Sequence, residues 1–331
     1  MKIAMVGCGA VGSYYGANLC RQGQDVHFLL RSDYEIVRRN GVTIHSPQGD
    51  FNVHPKCVKT PDKIGISDIV FIAIKTTAND QFPRLLPPLV GSHTAIVTLQ
   101  NGLGDEEQLA RLFPTEQIMG GLCFVCLNRI SPGVIRHMAH GLIVLGEYLR
   151  PPQQRTHDIA AMFNDAGVTC KVADNLERAH WEKLVWNIPF NGLGVAGVAG
   201  YHSIVKPDET LSARLSQLRC QPLRGRCLTT DKLLADPQWE KLVRELMIEV
   251  ITVARKLGYQ IPASFADKQI ERTRTMGAYK ASTLLDFENG KPLELENLFL
   301  EPLRQAKKTG VPVPCLESMC EVLGKLDRKP G

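Results

Sequence analysis

The sequence predicts two fold classes in succession: an α/β half built on a doubly wound, largely parallel sheet, followed by an all-α half. Three observations carry this. An apolar strand at Lys2–Val6 runs straight into a glycine turn, Gly7-Cys8-Gly9-Ala10-Val11-Gly12. Strand-length apolar runs then recur as far as about Ala173. From Asn175 onward helical periodicity takes over and strand signals nearly vanish. A chain of 331 residues is long enough for two separate cores, so domains are expected at 1–173 and 174–331.

Each glycine of the turn has its own task. Gly7 lets a strand bend sharply into a helix, Gly9 has no side chain to hold off a pyrophosphate, and Gly12 lets the helix pack closely on the sheet. The free amides that open the helix attract phosphate charge. The run Ser13–Gln22 suits that helix, Gly23 stops it, and Asp25–Leu30 reads as the second strand. This is the opening of a Rossmann-like, dinucleotide-binding sheet. Arg31 stands where an NAD-binding chain usually carries Asp or Glu to accept from the ribose 2'-hydroxyl. A guanidinium accepts nothing, but it pairs well with a 2'-phosphate. The expected cofactor is therefore NADPH/NADP+.

Further along, Val42–Ser46 and Phe51–Val53 flank a turn and suggest a hairpin. Ser67–Ile74 and Thr94–Leu99 are continuous apolar runs, as expected of parallel strands covered on both faces. Asn79–Val90 offers only a short, proline-broken helix, while Met119–Leu127 and Leu142–Leu145 supply further strands. In the second half, helices are expected over Leu176–Phe190, Leu242–Leu257, Ala266–Met276 and Leu298–Lys308. A ligand site is expected in the cleft between the domains, at the carboxyl ends of the strands.

Composition narrows the function classes. The formal net charge of +5 is modest, and basic residues cluster only from Arg214 to Arg226, without interleaved aromatics, so no nucleic-acid partner is expected. No apolar run is long enough to span a membrane and no leader precedes the first strand, which predicts a cytoplasmic protein with no membrane partner. The 10 cysteines show no disulfide framework, and free, mostly buried thiols are expected. Cys123 and Cys126 have CxxC spacing without an answering pair, and His137 and His140 read as surface loop residues, so no metal is expected. Apolar faces in the helical half leave open a homodimer interface or an interdomain contact.

Polar residues mark the expected cleft. Lys75 and Gln100-Asn101-Gly102 end two of the strands, where either a cofactor or a plain turn would account for them. Lys183, Asn187 and Asn191 fall at i, i+4 and i+8 and share a helical face, within a segment rich in Leu184, Val185, Trp186, Ile188 and Phe190. A solvent-facing polar stripe competes with a buried, ligand-binding one. Pro189 is expected to kink this helix. Ser282 is placed to cap a following helix, and Glu294 to lie in the first turn of another.

Taken together, Gly7–Gly12, Leu30-Arg31, Ile74-Lys75, Gln100-Asn101-Gly102, Glu182-Lys183 through Asn187, Ser282 through Asp286, and Pro292 through Glu296 resemble the ketopantoate reductase family over most of the chain. That resemblance implies NADPH-dependent reduction of 2-dehydropantoate, a small 2-oxo acid, to (R)-pantoate. By analogy Lys183 is the general acid and Glu294 organises substrate and cofactor. Asn101, Asn187, Asn191 and Ser282 contact substrate. Gly7, Cys8, Gly9, Ala10, Val11, Gly12, Arg31, Lys75 and Asn101 line the cofactor. One stretch departs from the pattern, 201–228, which reads as an insertion. Two rival readings remain: a reductase of another 2-oxo or 3-oxo acid, and a non-catalytic NADP-binding redox sensor.

Overall fold

The computed structural model describes residues 1–205 and 227–327. It divides into two compact units, Met1–Ala179 and His180–Gly331. The first therefore ends slightly beyond the expected 173, inside helix α6 (Leu176–Ala196). The physical reason is Leu176. Its side chain fills the space above Gly120 and Gly146, so that a carbon added at either glycine would stand 2.9 Å from it. The first turn of α6 is thereby part of the sheet's packing.

The first unit is a mixed sheet whose larger part is parallel. Strands β1 (Lys2–Val6), β2 (Asp25–Leu29), β5 (Lys56–Val58), β6 (Ile69–Ile72), β7 (Ala95–Thr98) and the start of β8 (Ile118–Ser131) lie in the order β5-β2-β1-β6-β7-β8. All of these neighbours are parallel. The order reverses between β1 and β6, the crevice where such sheets bind ligands. Successive residues of β1 feed opposite cores, as the two-residue pleat requires. Ile3 and Met5 join Tyr15, Phe28, Phe71 and Phe163. Ala4 and Val6 join Val70, Ile72, Phe82 and Leu109. Helices α1 (Ala10–Arg21) and α5 (Gln154–Asp165) cover the first face, and α3 (Phe82–Leu85) and α4 (Asp105–Ala110) the second.

Beyond β8 the sheet extends further than expected. β8 and β9 (Val134–Glu147), 14 residues each, form an antiparallel hairpin with three register shifts. β9 then pairs in parallel with β3 (Val42–His45) and β10 (Cys170–Val172), and β3 pairs antiparallel with β4 (Phe51–Val53). The outer arms of the hairpin are exposed at many positions and so lack the unbroken apolar run that marks a strand covered on both faces. In consequence His137 is no surface loop residue. It lies buried within β9, where its Nε2 meets the His140 carbonyl at 3.0 Å and its Nδ1 meets Ser46 Oγ at 2.9 Å.

The second unit contains no strand among its described residues. After α6 come α7 (Tyr201–Val205) and helices at Thr230–Ala235, Pro237–Lys256, Ser264–Arg274, Ser282–Glu288, Glu301–Thr309 and Pro314–Leu326. The Pro237–Lys256 helix starts where Asp236 accepts from the amides of Gln238 and Trp239, with Pro237 in the first turn. It buries Leu242, Val243, Leu246, Met247, Val250, Ile251 and Ala254 on one stripe. From that helix Glu249 accepts from the amides of Cys315 and Leu316, both at 2.9 Å, and so caps the Pro314–Leu326 helix. Of the expected insertion at 201–228, positions 206–226 lie outside the described residues, and with them the basic run from Arg214 to Arg226.

Candidate functional site

The glycine turn shows its selection directly. Gly7 has φ +99°, and a carbon added to it would stand 2.3 Å from the Ile74 amide nitrogen. A carbon on Gly12 would stand 2.0 Å from the Gly7 carbonyl oxygen. Gly9 has nothing within 4 Å of that position. Two glycines are thus demanded by the protein's own packing, while the third faces open space. The first intrahelical bond runs from Ser13 N to Gly9 O at 3.0 Å. That leaves the amides of Ala10, Val11 and Gly12 as helix-end donors, with no side-chain cap on Gly9 and no acid in the first turn of α1. This cradle fits a pyrophosphate.

Cys8 is not a nucleophile in waiting. Its thiol donates to the Met5 and Leu29 carbonyls at 3.6 and 3.7 Å. Burial, then the neighbouring Cys57, then the charge of Asp33 hold it well above the ordinary thiol range. The nine described cysteines are all free thiols, four buried and five half-buried. Cys123 and Cys126 lie along β8 rather than in a turn.

Beside the turn, the ends of β6 and β7 are tied by a polar network that the sequence did not disclose. Gln100 Nε2 donates to the Ile74 carbonyl at 3.0 Å and to Asn79 Oδ1 at 2.7 Å, while its Oε1 accepts from Thr98 Oγ1 at 2.9 Å. Asn79 Nδ2 in turn donates to Asp105 Oδ1 at 2.7 Å, at the start of α4. Gln100, Asn79 and Asp105 are all buried. They hold in place the two loops that carry Lys75 and Asn101. The only sequence signal for Gln100 was its place before Asn101-Gly102; Asn79 and Asp105 gave none. Arg31 lies exposed just beyond β2, where Leu30 N still bonds to the Val58 carbonyl at 2.9 Å.

In the second unit the polar stripe of α6 is buried. Lys183, Asn187 and Asn191 are 8%, 7% and 3% exposed, which excludes the solvent-facing reading. The helix continues through Pro189 to Ala196. Asn191 Oδ1 accepts from the Thr283 amide at 3.1 Å and from Ser282 Oγ at 3.3 Å. Because a backbone amide can only donate, the accepting atom must be the oxygen, and Asn191 is left with its Nδ2 as the group to offer. Ser282 was expected to cap its own helix; instead Ala281 holds the cap position without a side-chain bond, and Asn191 reaches over from α6 to do the capping. Glu294 is buried and precedes a π-helical turn, Glu296–Leu300, its carbonyl accepting from Leu298 N at 3.3 Å. Such turns recur at functional sites. Asp286 and Asn297 are further buried polar groups in this unit.

Among the described residues no helix is long and apolar enough to cross a membrane. The family model for "Ketopantoate reductase PanE/ApbA" matches residues 3–150, and its C-terminal counterpart matches residues 225–327. A 2-dehydropantoate 2-reductase of a Nostoc species is 38% identical, over 98% of this chain and 95% of its own length. The crystal structure of a 2-dehydropantoate 2-reductase from Geobacter metallireducens superposes with a TM-score of 0.87 at 42% identity, covering 98% of this chain and 99% of that one. A third, from Methylococcus capsulatus, gives 0.83 at 32% identity, covering 98% and 96%.

Proposed function

The chain belongs to the ketopantoate reductase family, and from that premise we propose that it reduces 2-dehydropantoate to (R)-pantoate with NADPH. The observation that carries the reading is a lysine ammonium buried at 8% exposure on one face with two buried asparagines. A 2-oxo acid brings a carbonyl and a carboxylate, the acceptors that an ammonium and amide nitrogens bind as hydrogen-bond donors.

NADPH, when bound, supplies a hydride to the ketone carbon. The chain's own groups do the rest. The amides of Ala10, Val11 and Gly12 hold the pyrophosphate, and Arg31 pairs with the 2'-phosphate. Lys75 and Asn101 lie beside the cofactor on loops steadied by Gln100. As negative charge develops on the substrate oxygen, the Lys183 ammonium stabilises it and delivers the proton. Asn187, the Nδ2 of Asn191, and Ser282 bind the substrate's oxygens, and Glu294 organises the site.

A panel of 2-oxo and 3-oxo acids with NADPH tests the assignment. The highest kcat/KM is expected with 2-dehydropantoate. A higher value with another oxo acid would transfer the reading to that substrate, and NADPH binding without oxidation by any of them would turn it toward a redox sensor.

A further inference from the structure

The segment that follows β2 carries one cation and two acids, Arg31-Ser32-Asp33-Tyr34-Glu35. Left alone it would bear a net negative charge at the place where a 2'-phosphate must land. The structure answers each acid with a cation from elsewhere. Arg129 of β8 pairs with Asp33 across 96 residues of sequence. Lys59 Nζ stands 2.8 Å from Glu35 Oε1 and 4.5 Å from the Tyr34 ring centroid. Arg31 alone makes no ion pair among the described residues.

The two pairs are not equivalent. Glu35 and Lys59 are both exposed, and water screens such a pair strongly. The Asp33 side chain is only 11% exposed, and its other oxygen accepts from Ser32 Oγ at 3.0 Å. Its charge also reaches the phosphate turn, being the third cause, after burial and Cys57, that raises the Cys8 thiol. Resting on the NADPH reading above, we propose that Arg129 is a positioning residue for cofactor choice: by neutralising Asp33 beside Arg31, it keeps the end of β2 receptive to a 2'-phosphate. An unpaired Asp33, within about 7 Å of Arg31 along the backbone, would repel that phosphate and compete for the guanidinium. It would also offer the carboxylate that accepts a ribose 2'-hydroxyl in NAD-binding chains.

The test is titration of NADPH and NADH, followed by nicotinamide fluorescence, against the full-length parent, R129A, D33N and the R129A/D33N double variant. R129A should weaken NADPH about tenfold while leaving NADH within about twofold, and adding D33N should restore the NADPH preference. Loss of both cofactors alike in R129A, no loss of either, or a double variant no better than R129A would overturn the proposal, because a merely structural tie between β8 and α2 (Tyr34–Asn40) gives no selective rescue. Should R129A fail to fold, R129K must keep the preference and R129Q lose it. The parent is the separate control on the underlying reading: a parent that does not prefer NADPH overturns the cofactor assignment itself, whereas a parent that prefers it and an R129A that still does overturns only the role of Arg129.

Discussion

A carbon attached to Gly12 would stand 2.0 Å from the carbonyl oxygen of Gly7, whereas one attached to Gly9 would touch nothing within 4 Å. The three glycines of one turn therefore fail differently when replaced. Gly12→Ala forces backbone apart and should cost about 3 kcal/mol or more, seen as a melting temperature lower by roughly 5–10 °C. Gly9→Ala should melt within about 2 °C of the parent and yet bind NADPH far more weakly, because the methyl occupies the space for phosphate. Calorimetry together with cofactor titration separates the two.

If Arg31 pairs with the 2'-phosphate as proposed, Arg31→Ala removes a charge-assisted contact of about 1.5–3 kcal/mol. The dissociation constant for NADPH should rise roughly 10- to 100-fold and that for NADH should stay as it was. Raising the ionic strength should weaken NADPH in the parent more than in the variant. Equal effects on both cofactors would move the phosphate away from Arg31.

Asn191 links two helices of the second unit through its Oδ1. Asn191→Asp keeps that oxygen and replaces the Nδ2 donor with negative charge. The expected result is a stable fold with a KM for the oxo acid raised at least about tenfold, read in steady-state kinetics. Asn191→Ala also leaves the Thr283 amide without its acceptor and should cost about 1–2 kcal/mol of stability.

Glu147 supplies a pH dependence. Burial alone would raise its pKa, but hydrogen bonds from Arg155, Thr156 and Arg150 outweigh burial and hold it below the usual carboxylate range. A carboxyl depressed on folding stabilises the protein above its unfolded pKa, about 4.3, and that contribution is lost as pH falls through the lower, folded value. Acid unfolding of the parent should thus steepen below about pH 4. Glu147→Gln should be less stable at neutral pH, with the difference from the parent shrinking as pH falls.

Much of this was legible in the sequence, for identifiable reasons. The glycine turn and the continuous apolar runs at β6 and β7 are local patterns with a single structural outcome. The outer arms of β8 and β9 were not legible, because strands exposed on one face read as irregular, and His137 was misplaced with them. On α6, the period put Lys183, Asn187 and Asn191 on one face but could not say whether that face was wet; burial decides it. Gln100, Asn79 and Asp105 come from three separate segments and meet only in the folded sheet, as do Arg129 and Asp33. Contacts of that kind leave no trace in spacing.

The proposed chemistry turns on protonation of the substrate oxygen by the Lys183 ammonium. The most direct measurement is turnover of 2-dehydropantoate by Lys183→Ala, followed by NADPH absorbance, alongside its NADPH dissociation constant. The kcat is expected to fall roughly 100- to 10,000-fold with NADPH affinity little changed. Turnover equal to that of the parent would rule out Lys183 as the proton donor.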